Sequence, residues 1–352
     1  MSMIRAALLG GVVAVAASVA GQGTAEAATK YCDGPKLTWK YSLWGKRRAV
    51  TEGAEYLSKA VKDATCGNFD IKLYYGEQIS KAKENLDGIH VGAIEAAFIC
   101  ASYHPGKTRA LGVLDLPFLP IQDLDVLRVV HDKMYQHPAF KAELSKWNTV
   151  WYMTNLLPQY EYMGRGKPPL KVADFKGLRM RALGGMGDAV KALGAVPTTM
   201  PASEVYTALQ RGTIDAAGFP YSYTFSAFKL DEISSWYTTN MSAGSANCFT
   251  GFNKAKYEAL PAQYKKILDE VKGPAYQALK EAYVSQDKIN IPKWEKEGKL
   301  KAITYGAPEL AEFRKIGGQP VWDEWIKENE KDVPAKELFD LVLKYAKEAK
   351  KK

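Results

Sequence analysis

The chain is poor in the residues that carry most enzyme chemistry. Its 352 residues include only four histidines and four cysteines. There is no HExxH pattern, no cysteine pair with the spacing of a zinc site and no GxSxG turn of a serine hydrolase. We therefore predict no catalytic residue, no metal and no cofactor. An exported enzyme that acts on an organic acid stays open as an alternative.

Long apolar runs are also missing beyond the N-terminus. Arg5 precedes an unbroken run of apolar and small residues at 6–20, and Ala25 and Ala27 lie at the two positions that a signal peptidase reads. The run is shorter than the ~20 apolar residues of a membrane span. The pattern predicts a secretory signal peptide at residues 1–27 and a mature chain, starting near Ala28, that lies in the periplasm.

The charge balance is basic but lacks a nucleic-acid pattern. Lys and Arg total 48 against 39 Asp and Glu, which gives a formal net charge of +9. Much of the excess is dispersed lysine, and part of it lies in the last residues of the chain. No basic run alternates with aromatic residues, so we predict no nucleic-acid partner. The positive charge is expected to raise encounter rates with anionic ligands.

Two of the four cysteines flank predicted secondary-structure elements, and the other two lie inside predicted strands. Cys32 precedes the first predicted strand and Cys66 follows the first predicted helix. Both positions lie at the same end of a parallel sheet, so we predict a Cys32–Cys66 disulfide, which an exported chain permits. Cys100 and Cys248 lie in apolar, strand-like segments. We interpret these two as buried thiols and leave their pairing open.

Strands and helices alternate along the chain, which predicts an α/β fold with parallel sheets. Strands are expected at 37–43, 70–75 and 93–100, with helices at 49–64 and near 80–90. A short pattern then repeats, because residues 92–98 read GAIEAAF and residues 212–219 read GTIDAAGF. Each copy follows a predicted helix and begins with a glycine suited to the helix C-cap. The repeat predicts two similar lobes.

The second lobe is predicted to hold residues 149–156, a strand at 177–181 and a glycine-rich turn before a helix at 188–193. That turn departs from a dinucleotide-binding loop at Val190, but a helix N-terminus of this kind suits an anion. Segments near 149–164 and 236–253 are expected to cross between the lobes. From residue 254 the chain is predicted to be mostly helical and punctuated by prolines.

Arg181 ends the predicted strand that enters the glycine-rich turn. The carboxyl ends of parallel strands border the crevice where α/β folds bind ligands, and a guanidinium can hold a carboxylate through two hydrogen bonds. A surface ion pair with a nearby acidic residue is the alternative. Aromatic residues also collect near predicted strand ends and would suit the walls of a pocket, although most aromatic stripes are core. They are Trp44, Phe98, Tyr103, Tyr160, Tyr162, Phe219, Tyr221 and Tyr223.

Four segments resemble, in order, the solute-binding proteins of TRAP transporters, the DctP type. Residues 75–79 read YGEQI, residues 116–119 read LPFL, residues 173–181 read ADFKGLRMR and residues 204–215 read EVYTALQRGTID. The resemblance covers nearly the whole mature chain. It implies two lobes that close on an organic acid, with delivery of that acid to a TRAP permease in the membrane. At Arg181 it implies the arginine that pairs with the ligand carboxylate.

Together these observations predict a two-lobed periplasmic-binding-protein fold, type II-like, with a long crossing helix and a C-terminal helical layer. We expect the first lobe at 28–152 with 243–275, the second at 153–242 and the C-terminal helices at 276–352, in a monomer. The predicted ligand-binding residues are Arg181, Phe219 and Tyr160 from the second lobe and Trp44, Gln78 and Tyr103 from the first.

Two departures from the family pattern bear on the ligand. Phe219 stands where many relatives have asparagine, and residues 158–162 lack the second arginine of relatives that bind sugar acids. We therefore expect a less cationic pocket, suited to a monocarboxylate with an apolar or aromatic body and not to a sialic acid or a dicarboxylate. A sensor subunit that presents the same acid to a receptor is a further alternative.

Overall fold

The computed structural model describes residues 31–351 and forms two lobes, each built on one β-sheet. The predicted signal peptide lies outside the described residues. The first sheet has the order β2-β1-β3-β10-β4, with β1 (Leu37–Leu43), β2 (Phe69–Tyr75), β3 (Ala96–Cys100), β4 (Thr149–Thr154) and β10 (Cys248–Asn253). The second has the order β11-β9-β5-β8-β6-β7, with β5 (Tyr160–Gly164), β6 (Arg179–Arg181), β7 (Val196–Thr198), β8 (Ala216–Pro220), β9 (Trp236–Thr238) and β11 (Lys301–Ile303).

The two copies of the sequence repeat form the central strands β3 and β8. All five residues of each strand are buried, as expected for strands with neighbours on both edges. β3 lies parallel to β1 and antiparallel to β10, and β8 lies parallel to β6 and antiparallel to β5. Gly92 and Gly212, which precede the strands, have φ values of 73° and 71°. The prediction of two similar lobes is thus confirmed, and in both lobes the central strand has one parallel and one antiparallel neighbour.

The chain passes between the sheets three times, the third time through the long helix that separates β10 from β11. The chain leaves the first sheet at β4 to enter the second at β5, and it leaves the second at β9 to return at β10. The predicted crossings near 149–164 and 236–253 are confirmed. The prediction that residues 149–156 belong to the second lobe is wrong, because β4 pairs with β10 at the edge of the first sheet. The remaining lobe boundaries stay a prediction.

Helices cover both sheets and form the outer layer. They are α1 (Glu52–Ala64), α2 (Asn85–His90), α3 (Leu124–Met134), α4 (Pro138–Lys146), α5 (Gly184–Ala192), α6 (Ala202–Gln210), α7 (Tyr221–Ala227), α8 (Leu230–Ile233), α9 (Lys254–Glu258), α10 (Ala262–Glu297), α11 (Ala307–Gly317), α12 (Gln319–Asn329) and α13 (Ala335–Ala349). The predicted helix at 49–64 begins with a 3-10 turn, Ala49–Thr51. Its apolar face, with Leu57 and Val61, packs on β2 and α10.

Helix α10 is the predicted crossing helix. Its 36 residues reach about 54 Å at the usual rise per residue. It packs on α1 in the first lobe and on α7 in the second, and Trp294 near its end meets Tyr237 of β9 edge-on. Pro274 and Pro292, expected to separate helices, lie inside it instead. The predicted fold class is confirmed.

The C-terminal helices brace both lobes. Helix α13 packs on α3 in the first lobe, and α11 and α12 pack on α5 in the second. Within residues 31–351, no helix combines the length and the apolar character that crossing a bilayer requires.

The structure contains two disulfides. Cys32 pairs with Cys66, the pair that the sequence indicates, and Cys100 pairs with Cys248. The interpretation of Cys100 and Cys248 as buried thiols is therefore wrong. The two residues face each other in register on the antiparallel strands β3 and β10, which brings their side chains within bonding reach.

Candidate functional site

A small cavity lies between the lobes, beside the ends of β3, β6 and β8. Trp44, Arg48 and Tyr103 line it from the first lobe, and Tyr160, Arg181 and Phe219 line it from the second. Its volume is about 20 Å³, close to what a single water molecule requires. The structure thus brings together five of the six predicted ligand-binding residues. The sixth, Gln78, is exposed in the turn after β2 and does not line the cavity.

Arg181 ends β6 and is almost completely buried, at 1% exposure. Its Nε and Nη1 donate hydrogen bonds to the carbonyls of Met200 (3.3 Å) and Gly218 (2.6 Å), and Nη2 donates to the Tyr103 hydroxyl (3.1 Å). The guanidinium lies 4.3 Å from the centre of the Phe219 ring. Arg181 is therefore not a surface arginine, and the ion-pair alternative fits Arg179 instead, which is exposed and bound to Asp215.

The guanidinium of Arg181 has no acidic partner in residues 31–351. Carbonyl and hydroxyl groups satisfy three of its five N–H groups, which leaves one hydrogen on each terminal nitrogen without a hydrogen bond of normal geometry. The Tyr160 hydroxyl is near enough to Arg181 to interact with it. A buried cation with no counter-charge is strongly unfavourable, and an anion beside it removes that penalty. Arg181 thus favours an anion in the cavity.

Arg48 is the residue that the sequence analysis missed. It lies in the turn between β1 and α1, is 3% exposed and lines the same cavity. Its guanidinium lies 4.7 Å from the centre of the Trp44 ring and 5.5 Å from that of Phe228. Burial lowers the pKa of Arg48 from its ordinary value. The prediction of a less cationic pocket is wrong, because the second arginine comes from the first lobe rather than from residues 158–162.

A signal for Arg48 was present in the sequence. Arg48 follows the carboxyl end of β1, just as Arg181 stands at the carboxyl end of β6, and ligands bind at such ends of parallel strands. Because Arg47 is adjacent, the sequence alone does not indicate which of the two arginines is buried in the cavity. In the structure Arg47 is exposed and bound to Glu52 at 2.8 Å.

Aromatic rings form the walls of the cavity. On the first lobe Trp44 stacks on Phe98 at 5.0 Å between ring centres, and it meets Tyr103 edge-on at 5.4 Å. On the second lobe Phe219 stacks on Phe228 at 5.7 Å. The indole N–H of Trp44 donates to the Phe98 carbonyl at 3.0 Å, so the ring presents an apolar face. These walls suit a flat or apolar ligand body.

Tyr103 links the two lobes across the cavity. Its hydroxyl oxygen accepts hydrogen bonds from Arg181 and from the backbone N–H of Ala202, the first residue of α6 (3.2 Å). Both lone pairs of the oxygen are then used, and the hydroxyl hydrogen is left to donate. A ligand oxygen beside Arg181 would be its acceptor. Tyr160, buried on β5, adds a second hydroxyl, and burial raises its pKa.

The glycine-rich turn at 184–187 does not face the cavity. Gly184, with a φ of 47°, packs so closely on Asp115 that a Cβ there would lie 2.9 Å from the Asp115 Cβ. Gly185 packs on Pro117 in the same way. Gly184, Gly185 and Gly187 instead line a separate, wider cavity together with Asp115 and Asp188, so the anion expected at this helix N-terminus stays a prediction.

The acidic groups with raised pKa values lie away from the cavity lining. Burial raises the pKa of Asp115 and that of Glu161 to about 7 each, but neither residue lines the cavity. Within residues 31–351, no group of three or more histidine, cysteine or acidic side chains is placed to hold a metal ion. The arrangement can hold an anion, and it shows no nucleophile with a base beside it.

Comparisons with known proteins agree with this geometry. Residues 42–329 match the sequence model of the family described as bacterial extracellular solute-binding protein, family 7. A relative, the C4-dicarboxylate-binding periplasmic protein DctP of Rhodobacter capsulatus, is 30% identical over 225 residues, which is 62% of this chain and 65% of that protein. The chain thus spans slightly less than two-thirds of that relative's length.

Solved structures of TRAP solute-binding proteins share the fold. One from a marine metagenome, specific for aromatic acids and solved with metahydroxyphenylacetate, has a TM-score of 0.78 and 22% identity, and the match covers 89% of this chain and 99% of that chain. One from Shewanella oneidensis, solved with succinate, has a TM-score of 0.75 and 20% identity, covering 88% of this chain and 99% of that chain. At these identities the likeness shows the fold.

Proposed function

The chain belongs to the bacterial extracellular solute-binding proteins of family 7, the solute-binding components of TRAP transporters, and we propose that its cavity captures a small organic acid by a contact between Arg181 and a ligand carboxylate. The observation that carries the proposal is the Arg181 guanidinium, which is buried with no acidic partner in the described residues. Its two unused N–H groups suit the two oxygens of a carboxylate. The hydroxyl hydrogen of Tyr103 adds a third donor.

The walls of the cavity favour an acid with an apolar or aromatic body. Phe219 and Trp44 present ring faces on opposite lobes, and a flat ligand between them would gain stacking and apolar burial. The family includes relatives named for dicarboxylates and solved structures that hold aromatic acids. The chemistry of the walls favours the second group for the ligand body.

Ligand entry needs movement of the lobes. A cavity of about 20 Å³ cannot admit an organic acid until its walls separate. The two crossing segments, between β4 and β5 and between β9 and β10, are the natural hinge. Because Arg181 and Tyr103 belong to different lobes, a carboxylate held by both would favour the closed state. Capture thus proceeds by binding and hinge closure, without catalysis.

The remaining parts of the proposal follow from the family. We propose that the chain is exported to the periplasm, acts as a monomer and delivers the acid to the membrane subunits of a TRAP permease. The two disulfides agree with folding in an oxidising compartment.

A thermal-shift screen of the mature protein tests the proposal. Benzoate, 3-hydroxybenzoate, succinate and galactonate would be added to wild type, Arg181→Gln and the matched control Arg179→Gln. A ligand at 100 times its Kd raises the unfolding free energy by about 2.7 kcal/mol, so at least one acid should raise the Tm of wild type and of Arg179→Gln. The shift should be lost in Arg181→Gln. An unchanged shift in folded Arg181→Gln, checked by circular dichroism, would refute the role of Arg181.

A further inference from the structure

The cavity holds a second buried arginine, Arg48, which a single carboxylate on Arg181 does not use. No acidic side chain within residues 31–351 forms an ion pair with Arg48, although Glu52 and Glu55 lie on the adjacent helix and pair with Arg47. Arg47 has 60% of its side chain exposed, whereas Arg48 is 3% exposed. The acidic groups near this turn thus neutralise the solvent-exposed arginine and leave the buried one uncompensated.

The turn around Arg48 is built to hold that side chain in place. The backbone N–H of Arg48 donates to Thr51 Oγ1 (3.0 Å), and the Thr51 hydroxyl donates back to the Arg48 carbonyl (2.7 Å). Gly45 has a φ of 78°, and a Cβ there would lie 3.1 Å from Nη1 of Arg48. A larger residue at position 45 would therefore be strained and would press on the guanidinium.

The hydrogen bonds of Arg48 leave one side of its fork free. Nη1 donates to the carbonyls of Lys46 (2.6 Å) and Trp44 (3.4 Å), which uses both of its hydrogens. In the described part of the chain, Nε and Nη2 have no acceptor. These two groups form the edge with which an arginine binds a carboxylate in two parallel hydrogen bonds.

A hydroxyl from the crossing helix lies close to Arg48. Tyr283 of α10 is 2% exposed, and its hydroxyl makes no hydrogen bond of normal geometry, although Thr224 is near enough to influence it. The charge of Arg48 acts on this hydroxyl and lowers its pKa against the larger effect of burial. A buried hydroxyl without a good partner, beside a cation without a counter-charge, is a second sign that an anionic group is missing here.

The two guanidiniums are separated by aromatic rings. Arg181 lies over Phe219, Phe219 stacks on Phe228, and Arg48 lies 5.5 Å from the Phe228 ring centre. They therefore do not share one ring or one set of acceptors. Two cations in one desolvated cavity also repel each other, and one carboxylate neutralises only one of them.

We propose that Arg48 binds a second anionic group, so that the ligand is a dianionic acid with one carboxylate on Arg181, the other on Arg48 and its body between the aromatic walls. This inference rests on the proposed function and deepens it. It replaces the expectation of a monocarboxylate, which depended on a pocket with one arginine. Arg48 then determines the selectivity of the cavity for acids with two carboxylates over acids with one.

Pairs of acids with the same body but different charge test the inference. Butyrate against succinate, and benzoate against terephthalate, would be titrated calorimetrically into wild type, Arg48→Gln, Arg47→Gln and Arg181→Gln. Wild type and Arg47→Gln should bind one diacid at least about 20-fold more tightly than its matched monoacid, since losing one partner of a buried charge pair typically weakens binding by that factor or more. Arg48→Gln should abolish this preference, because it should lower the affinity for the diacid far more than the affinity for the monoacid.

The outcomes separate the inference from the proposed function. If Arg48→Gln weakens the monoacid and the diacid equally, or if wild type prefers the monoacid, the second anion site is refuted while Arg181 capture stands. If Arg181→Gln binds every acid as well as wild type does, the proposed function itself fails. Should Arg48→Gln not fold, Arg48→Lys serves instead, because it keeps the charge and loses the fork. It should then lower diacid affinity more than monoacid affinity, and equal losses would overturn the inference.

Discussion

The two lobes reach the same arrangement of central strands but hold it by different means. The first lobe contains both disulfides, one of which joins the neighbouring strands β3 and β10. All four cysteines of the chain lie in the first lobe, so the second sheet has no covalent cross-link. In the second lobe, hydrogen bonds to a buried carboxylate on β5 help to join the strands.

That carboxylate belongs to Glu161, which is 4% exposed. Its Oε2 accepts from the Thr238 hydroxyl (2.5 Å) and the Met241 N–H (3.0 Å), and its Oε1 accepts from the Ser242 N–H (2.8 Å). These bonds join β5 to β9 and to the start of the crossing segment that returns to the first sheet. The difference implies that a reductant acts on the first lobe and not on the second, and that protonation of Glu161 acts on the second.

The largest expected effect comes from removing the Cys100–Cys248 disulfide. It closes a span of 148 residues, and its loss in the Cys100→Ala/Cys248→Ala variant should lower the free energy of unfolding by about 2–5 kcal/mol. Urea unfolding followed by circular dichroism measures this change. Hydrogen exchange should become faster in β3 and β10 while β5 and β8 keep their protection.

The Cys32–Cys66 disulfide provides the matched control. It spans only 34 residues, so the Cys32→Ala/Cys66→Ala variant should lose less stability than the first variant. Equal acceleration of exchange in both sheets after loss of Cys100–Cys248 would show that the lobes do not differ in this respect.

Local pattern was enough to predict the parts of the fold that depend on neighbouring residues. The strand at 37–43 was predicted with its observed bounds, and the repeat identified β3 and β8 because its glycine caps and apolar runs are local features. Arg181 could be predicted for the same reason, since it ends a strand immediately before a glycine-rich turn. The family resemblance added the crossing helix.

Features decided by contacts between distant residues could not be predicted in this way. The pairing of Cys100 with Cys248 depends on β3 and β10 being neighbours, and the sheet that takes β4 depends on the same strand β10. Arg48 rather than Arg47 enters the cavity because Phe228, 180 positions later, packs beside it. The residues near position 48 do not predict the contact between Arg48 and Phe228.

The second effect concerns pH and the second lobe. Burial raises the pKa of Glu161 from its ordinary 4.5 to about 7, against the opposing hydrogen bonds from Thr238 and Ser242. The folded state therefore binds more protons than the unfolded state between these values. The stability from this group is present below the ordinary pKa and is lost as pH rises through about 7. In Glu161→Gln, the decrease in the free energy of unfolding over this pH range should be smaller than in wild type by roughly 1–3 kcal/mol.

Urea unfolding of wild type and Glu161→Gln between about pH 5 and pH 8 measures this loss, because the difference between the two proteins cancels the contribution of His104 and His131. Burial lowers the pKa values of these histidines to about 4 and about 3, so they reduce stability only as pH falls below their ordinary value of 6.5. Asp115→Asn is the first-lobe control, since burial raises the pKa of Asp115 to about 7 as well. Hydrogen exchange in β5 and β9 should change in Glu161→Gln and not in Asp115→Asn. The opposite result would show that Glu161 does not cause the pH dependence of the second lobe.

The smallest effect concerns the exposed arginine that accompanies the buried one in each lobe. Arg47 binds Glu52, and Arg179 binds Asp215 at 2.6 Å. Exposed ion pairs contribute little, so Arg47→Gln and Arg179→Gln should each lower the Tm slightly, and about 1 M salt should erase the difference. The Asp215 carboxylate also accepts the backbone N–H of Arg179 (2.9 Å), and its pKa is lowered chiefly by the side-chain hydrogen bond from Arg179.

Asp215→Asn should therefore lower the Tm more than Arg179→Gln does, because only the aspartate also holds the backbone at the start of β6. In the first lobe, no backbone N–H binds the Glu52 carboxylate within the described residues, so Arg47→Gln and Glu52→Gln should have similar effects. All four variants should bind acids as wild type does, unlike variants of Arg48 and Arg181, since Arg47 and Arg179 are exposed to solvent and do not line the cavity. A loss of acid affinity in any of them would mean that long-range charge, and not the unpaired guanidiniums of the cavity, attracts the ligand.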